Sequence, residues 1–534
     1  MKIKRMEVRE QARRIAREYA VSELCAQVLA CRCQNEDQIR QALSTDLTLE
    51  PCRSDALRQA LQRLEQARDK GERILIAGDY DADGLCATAI LKEALELAGM
   101  DCGYYIPHRL NEGYGLSAAT VTLAAQKGYR LIITVDNGVA AHPALLRAKE
   151  LGIDVIVTDH HTIQQQPDCL VLLHPQTLGE PWQHCCGAAV ALQLALALNG
   201  PRKRPIMLAA LATIADMMPL WQQNRPLVRL GLKYLNQRQY AAVEALSDRR
   251  IERWTEKEIA FQIVPKLNAI GRLADLCNAN QIVRYLLLND PVQIEAVSRQ
   301  IRQINQKRRQ MSERMTKTAL EQIDPQDAFH FVADSSFHEG IVGLVAGRIL
   351  NQTCHPTLVL APSQHGWKGS ARSLPGVDLQ ALFDGLQDCF LQFGGHAQAA
   401  GIEVRPDQLQ PLRQALMRRI RQQPLPPQEA VLEVLPVEGS QITLKALHQL
   451  DQLAPFGQQF DPVLFEVRGL TVLDYTRMKE MYPKWQTTNG TELIEAISFH
   501  RELDCPHPET WIGSLTINRF RGQEKCSILV ETVE

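Results

Sequence analysis

The stretch ILIAGDYDADG, residues 74–84, decides the fold. Ile74–Ala77 is an apolar run of the length of a buried strand, and it breaks into the acidic turn GDYDADG at 78–84. A helix is expected to follow over Ala87–Leu97, stopped near Gly99. The arrangement recurs downstream. Leu131–Val135 is a β-branched run leading into Asp136-Asn137-Gly138 and an expected helix Pro143–Leu151. Val155–Val157 is a third run, followed by Thr158-Asp159-His160-His161. Short buried strands alternating with amphipathic helices indicate βαβ units and a parallel sheet. Ligands of such sheets bind beyond the carboxyl ends of the strands, where each of these polar clusters falls.

Upstream, residues 1–70 read as short helices with polar connections, ending in the helical stretch Ser54–Lys70. Downstream, a helical region from Gly187 to about Arg249 contains Ala215-Asp216-Met217-Met218-Pro219. A long helix is expected from Pro291 to Ile323, with Ile294, Val297, Ile301, Ile304, Met311 and Met315 on one apolar face. Arg299, Arg302, Lys307, Arg308, Arg309, Arg314 and Lys317 stud the rest, either as a solvated surface or as the wall of a nucleic-acid channel. A second α/β unit follows: strand Phe329–Ala333, helix Val342–Leu350, strand Thr357–Leu360 and a glycine-rich tract near Gly394. The Pro- and Gln-rich stretch Gln422–Gln428 reads as a linker. Val463–Val467, Leu493–Phe499, Trp511–Ile517 and Cys526–Val533 suggest a small β-domain of barrel type. The expected plan is therefore an N-terminal helical segment (1–70), a parallel-sheet domain (71–225), a helical region with the long connecting helix (226–323), a second α/β domain (324–424) and a β-domain (429–534).

With 534 residues, 45% of them hydrophobic, the chain can bury several cores of ordinary domain size. The N-terminal stretch MKIKRMEVREQARRIAREY is charged throughout and lacks the apolar segment of a secretory signal. The most apolar stretch, Cys185–Leu198, is too short to cross a bilayer, so a cytoplasmic location is expected. The 14 cysteines form no CxxC pair, which argues against a zinc ribbon or a thioredoxin-type site and for reduced, mostly buried thiols. A net charge of −2 excludes a chain that coats nucleic acid through global positive charge; any basic surface must be local.

Asp79, Asp81 and Asp83 alternate directly after a strand, and three carboxylates so close repel one another unless a cation sits among them. Taken alone, the turn could equally be solvated, or a helix cap at Asp83. Its context shifts the balance, because Asp136 and His160-His161 are expected at the same sheet edge. Asp216 lies in an otherwise apolar segment, where an unpaired buried carboxylate would be costly. Mixed Asp and His donors suit Mn²⁺ or Mg²⁺, and five or more of them suit two such ions on a phosphoester. The residues by themselves thus indicate a metal-dependent phosphoester hydrolase.

The ordered set GDYDADG (78–84), TVDNG (134–138), VTDHH (157–161) and ATIADMMPL (212–220) resembles the motifs of the DHH phosphoesterase superfamily. IPHRLNEGYGL (106–116), PKLNAIGRL (265–273), FHEGIVGLVAGRI (337–349), KGSARS (368–373) and GGHAQAAG (394–401) are similar to the RecJ branch, as are LAPFGQQFDPVLFEV (453–467) and INRFRG (517–522). Lys266 departs from the family, which usually has an arginine there, and MKEMYPKWQ (478–486) matches its tail poorly.

The resemblance implies a DHH parallel-sheet domain and a DHH-associated α/β domain joined by a long helix, with a C-terminal OB-like β-barrel. It implies two divalent cations, Mn²⁺ or Mg²⁺, held by Asp79, Asp81, Asp83, Asp136, His160 and Asp216, with Asp136 best placed to bridge them. Asp81, Asp83, Asp136, His160, His161 and Asp216 would be catalytic, His161 contacting the scissile phosphate or orienting His160. Nucleic-acid contacts are implied for Arg109, Tyr114, Lys266, Asn268, Arg272, Arg308, Arg309, Lys368, Ser370, Arg372, Ser373, Gly394, Gly395 and His396. The implied activity is 5′-to-3′ exonuclease action on single-stranded DNA in repair and recombination, with single-strand-binding protein and a helicase as partners and no membrane. A phosphodiesterase of short oligonucleotides or cyclic dinucleotides is the alternative.

Overall fold

The computed structural model describes residues 2–422, 431–520 and 522–534. It opens with a strand that the sequence patterning did not suggest, β1 (Lys2–Arg5), followed by helices Arg9–Glu18, Glu23–Arg32, Glu36–Leu43 and Asp55–Asp69. Ser22, Asn35 and Ser54 cap the last three by accepting backbone N–H bonds.

β2 (Arg73–Ala77), β3 (Cys102–Tyr105), β4 (Tyr129–Val135), β5 (Asp154–Thr158) and β6 (Val171–Leu173) form an all-parallel sheet in the order β3-β2-β4-β5-β6. Its inner strands are buried on both faces, which is why they read as unbroken apolar runs. Ala77, Thr134 and Val157 are register partners across β2, β4 and β5. The three strands therefore end nearly flush, and the polar segments after them leave the sheet side by side.

The helix after β2 begins at Ala82, five residues before the expected start. Asp81 is its N-cap, accepting from Gly84 N at 2.9 Å, and Asn268 Oδ1 accepts from Ala82 N at 2.8 Å. Asp83 thus sits in the first helical turn rather than in a loop. A Cβ at Gly84 would lie 2.7 Å from the Asp79 backbone oxygen, so glycine permits this tight reversal.

The long helix runs Pro291–Glu321 with Asp290 as its cap. Ile294 and Ile301 belong to the core of the first α/β unit, whereas Met315 and Ala319 belong to a core of the second. One apolar face is thus shared between two units, which makes the helix a packed strut.

The second sheet contains β7 (His330–Ala333), β8 (Thr357–Pro362), β9 (Trp367–Arg372), β10 (Phe390–His396) and β11 (Ala399–Val404), ordered β10-β11-β9-β8-β7. Gly394-Gly395 lie inside the exposed edge strand β10, paired with Gly401 and Ala400.

The third sheet contains β12 (Val431–Glu438), β13 (Leu464–Arg468), β14 (Thr471–Met478), β15 (Tyr482–Thr488), β16 (Leu493–Ser498), β17 (Thr510–Phe520) and β18 (Gln523–Val533). With β1 its order is β1-β12-β13-β17-β18-β16-β15-β14. The expected barrel does not close: β1 and β14 are the two ends of this order, so the strands form an open OB-like sheet. β1 pairs parallel with β12, and Arg5 grips the fully buried carboxylate of Glu466 on β13 with Nε and Nη2, both at 2.8 Å. Ala12, Ile15, Leu24 and Leu29 share one core with Leu447, Phe460 and Trp511. The first 43 residues are therefore part of the C-terminal domain. No sequence pattern linked segments so far apart. The expected linker falls, from residue 423 on, outside the described residues. Among the described residues no helix is long and apolar enough to cross a membrane.

Candidate metal centre and phosphate cleft

Five carboxylates and two imidazoles meet beyond the flush ends of β2, β4 and β5. Asp79, Asp81 and Asp136 each bring a ligand atom within 4.8 Å of one another, as do Asp83, His160 and Asp216, and Asp136, His160 and His161. Asp136 and His160 each belong to two of these groups, so the three sets form one continuous cup. His160 Nε2 is 3.1 Å from Asp136 Oδ1, 3.6 Å from Asp216 Oδ2 and 3.7 Å from Asp83 Oδ2.

Several of these residues are anchored individually. Asp83 accepts from Gly187 N and Ala188 N, both at 2.7 Å, at the start of helix Gly187–Asn199. Asp136 adopts a left-handed backbone (φ 61°), a conformation aspartate tolerates better than most residues. Its Cβ and Oδ1 would be 2.7 Å from any Cβ at position 187, so only glycine fits opposite. Tyr114 donates its hydroxyl to the Asp136 carbonyl at 2.6 Å and lies 3.3 Å from His161 Nδ1. Asp216 ends helix Lys203–Ala215 as its C-cap.

The electrostatics fit a cation. Burial, then the neighbouring Asp81, pushes Asp79 up to about 8. Burial, then Asp83 and Asp81, pushes Asp216 up to about 7. Burial and the surrounding carboxylates drive Asp136 well above the usual range, and burial raises Asp83 despite its two backbone donors. Burial lowers His160, keeping it a neutral donor. Among the described residues the buried Oδ1 of Asp79 has no hydrogen-bond partner, and Asp136 Oδ1 has only the nearby His160 Nε2 at 3.1 Å. A cluster of buried acids that strains toward protonation, with an orphaned oxygen among them, is what hard divalent cations neutralise.

Two residues of this region were missed by the sequence reading. Burial would raise Asp159, but the hydrogen bond from His161 Nδ1 (2.7 Å) and the N–H groups of Val139 and His161 hold it below the ordinary range. Burial alone would lower His161; its bond to Asp159 outweighs that and raises it. Asn137 ties the strand ends together, donating to Ala77 O and Val135 O and accepting from Leu116 N. Their positions within TDHH and VDNG were the available signal.

A basic wall borders the cup. Burial and the guanidiniums of Arg109, Arg308 and Arg372 pull Arg272 down to about 10. Arg348, not singled out from the sequence, faces Arg308. None of these five arginines makes an ion pair among the described residues. Arg109 stacks on Tyr80 at 4.8 Å, and Arg372 Nη1 donates to Ser370 Oγ at 2.7 Å.

Other expected contacts lie elsewhere. Lys266 is buried, bonded to Gln262 O and paired with Asp248 at 2.8 Å. Asn268 caps the Ala82 helix, and Ser373 donates to Val377 O. These three hold structure rather than present themselves to a ligand. Lys368 pairs with Glu339 at 3.3 Å, Arg309 is exposed on the long helix, and Gly394, Gly395 and His396 are exposed on β10.

Family models match three parts of the chain: the N-terminal domain of the DHH family over residues 73–218, the DHHA1 domain over 326–422 and the RecJ OB domain over 435–532. The single-stranded-DNA-specific exonuclease RecJ of Dickeya dadantii is 31% identical over 526 residues, covering 89% of each chain. The chain belongs to the RecJ family. RecJ of Bacillus subtilis is 31% identical over 506 residues, 90% of this chain but 64% of that protein. The chain thus spans just under two thirds of some of the curated relatives it matches. The crystal structure of RecJ in complex with Mn²⁺ from Thermus thermophilus superposes with a TM-score of 0.84 at 28% identity, covering 100% of this chain and 79% of that one. Family membership accounts for the meeting of DHH, DHHA1 and OB-type units in one chain.

Proposed function

We propose that this chain is a divalent-cation-dependent exonuclease that hydrolyses single-stranded DNA in the 5′-to-3′ direction. One observation carries the reading: a carboxylate–imidazole cup shaped for cations lies against arginines that make no ion pair among the described residues. A phosphodiester satisfies both at once.

Asp79, Asp81, Asp83, Asp136, His160 and Asp216 would hold two cations, Mn²⁺ or Mg²⁺. Bound there, the cations supply charge neutralisation at the phosphate and activation of water. The chain's own side chains do the rest. His161, whose hold on a proton is strengthened by Asp159, would offer a ring N–H to a phosphate oxygen. Tyr114 fixes the Asp136 backbone. Arg372 and Arg272 orient the phosphate through forked guanidiniums, with Ser370 steering Arg372. Gly394, Gly395 and His396 on β10 and Lys368 on β9 would extend the contact along the backbone, and Arg308 and Arg309 would meet more distant phosphates. Lys266, Asn268 and Ser373 support the walls.

The Dickeya and Bacillus relatives are named single-stranded-DNA-specific, which supports that substrate here. A role in repair and recombination, a cytoplasmic location, and single-strand-binding protein and a helicase as partners belong to the same reading. The test is digestion of 5′- and 3′-labelled single strands with Mn²⁺, Mg²⁺ or EDTA. Labelled mononucleotide should appear at once from the 5′ label, and EDTA should abolish it. Early release of the 3′ label, or preference for dinucleotides over long strands, would overturn the proposal.

A further inference from the structure

The ligand cup is not equally well supported on all sides. Asp81 and Asp83 are pinned by backbone N–H groups of the first α/β unit. Among the described residues no backbone N–H anchors the Asp216 carboxylate; its side chain is 36% exposed and lies 3.6 Å from His160. Its backbone is held on one side by the helix it ends, through Asp216 N to Ala212 O. On the other side Asn224 donates to His184 O and Pro219 O, while most other contacts of residues 220–225 reach the far end of the molecule.

Leu220 N donates to Gln458 O at 3.1 Å. Trp221 packs edge-on against Phe460, with ring centroids 5.1 Å apart. Arg225, almost fully buried, donates to Pro455 O at 3.2 Å and to Leu453 O, and its guanidinium lies 4.7 Å from the Phe460 ring centre. Gln222 N donates to Gln41 Oε1 and Gln223 Oε1 accepts from Glu50 N, both at 2.9 Å. Met217, Met218 and Leu220 line an open cavity of about 730 Å³, so the segment has room to shift. A buried arginine bonded only to carbonyls is expensive unless those bonds fix a position.

We propose that the C-terminal β-domain positions Asp216 through Phe460, Trp221 and Arg225, and so sets the affinity of the metal centre it does not line. The inference rests on the metal-centre reading above. Phe460, Trp221 and Arg225 are positioning residues, acting only through the backbone that leads from Asp216.

The test is Mn²⁺ binding to the full-length protein by titration calorimetry. Phe460→Leu keeps an apolar side chain but removes the ring on which Trp221 and Arg225 rest. Gly457→Ala adds a Cβ 2.9 Å from Leu220 Cδ1, nudging the segment without opening the core. Both variants should keep a native circular dichroism spectrum and weaken Mn²⁺ binding about fivefold. In Arg225→Lys, which retains a donor for the carbonyls, the loss should be smaller than in Arg225→Met. An Arg253→Ala control removes the ion pair between Arg253 and Asp451, another contact with the same domain, and should leave the affinity unchanged. Wild-type affinity in folded Phe460→Leu and Gly457→Ala, or an equal loss in Arg253→Ala, overturns the proposal. If the wild-type protein takes up no Mn²⁺, the metal-centre reading itself fails.

Discussion

The two five-stranded sheets carry opposite electrical characters. The first ends in buried acids whose pKa values are forced upward; Asp79 reaches about 8 and Asp216 about 7. The second ends in Arg372, which burial pulls down, beside Ser370, with the exposed glycines of the edge strand one strand further across. Each is electrostatically incomplete, one lacking a cation and the other an anion. A fold that keeps both strains facing one another is built to bind a third party carrying both needs, such as a phosphate with its counterions.

The contrast can be broken most severely at Asp136. Asp136→Asn keeps the shape and tolerates the left-handed backbone, but it removes the shared negative donor. Turnover of single-stranded DNA should fall at least about a thousandfold. With EDTA, the variant should melt at or above the wild-type temperature, because a buried acid that is costly to ionise is gone. Near-normal turnover in folded protein would dismiss the metal assignment.

On the opposite wall, Arg372→Ala should slow hydrolysis of 5′-phosphorylated strands by more than tenfold, a loss of about 1.4 kcal/mol of transition-state binding. Arg372→Lys should restore only part of it, since a point charge lacks the fork. Initial rates on matched 5′-phosphate and 5′-hydroxyl substrates measure this. Equal slowing of both would assign Arg372 to the scissile or an internal phosphate; no slowing would remove it from the cleft.

Proton linkage sharpens the comparison further. Without cations, the raised acids hold protons in the folded chain that they release when it unfolds. Their contribution to stability is therefore lost as pH rises from about 4 to about 8. Cations should reverse this penalty at pH 8, whereas at pH 5 protons compete for the same oxygens. The rise in Tm given by Mn²⁺ should accordingly be larger at pH 8 than at pH 5. An equal rise at both would show that the ion binds elsewhere.

The smallest effect is expected on the strut. Charge reversal at Arg308 and Arg309 should weaken binding of long strands and flatten its salt dependence by about one charge per residue lost, leaving very short substrates nearly unaffected. Binding isotherms at several salt concentrations would show it. Matching losses on short and long strands would place these arginines at the reacting phosphate instead.

What was legible in the sequence was local. Strand followed by polar cluster is written within about ten residues at a time, so the parallel sheet and the metal-type residues could be read directly. The strut was equally plain from its spacing. Three things were hidden for physical reasons. The early start of the Ala82 helix, capped by Asp81, is completed by Asn268 Oδ1, an acceptor 186 positions away. The resemblance offered Lys266 as a nucleic-acid contact, but whether a lysine faces a ligand or Asp248 depends on tertiary packing. The Gly394-Gly395 pair fits a turn and an edge strand equally well, and only its pairing with Ala400 and Gly401 decides between them.

The pairing of β1 with β12 has a consequence for biosynthesis. Lys2–Arg5 are made long before their partner Val431–Val434, which follows more than 400 residues later. On the ribosome, the apolar faces of the first helices must wait, uncovered, while most of the chain is made. A fragment cut before residue 431 would keep that face bare and be prone to self-association. A fragment starting at 431 would lack its outermost strand and the Arg5 grip on Glu466. Mixing the second fragment with a peptide of residues 1–45 should therefore rescue its solubility, because that peptide is the missing piece of the same domain.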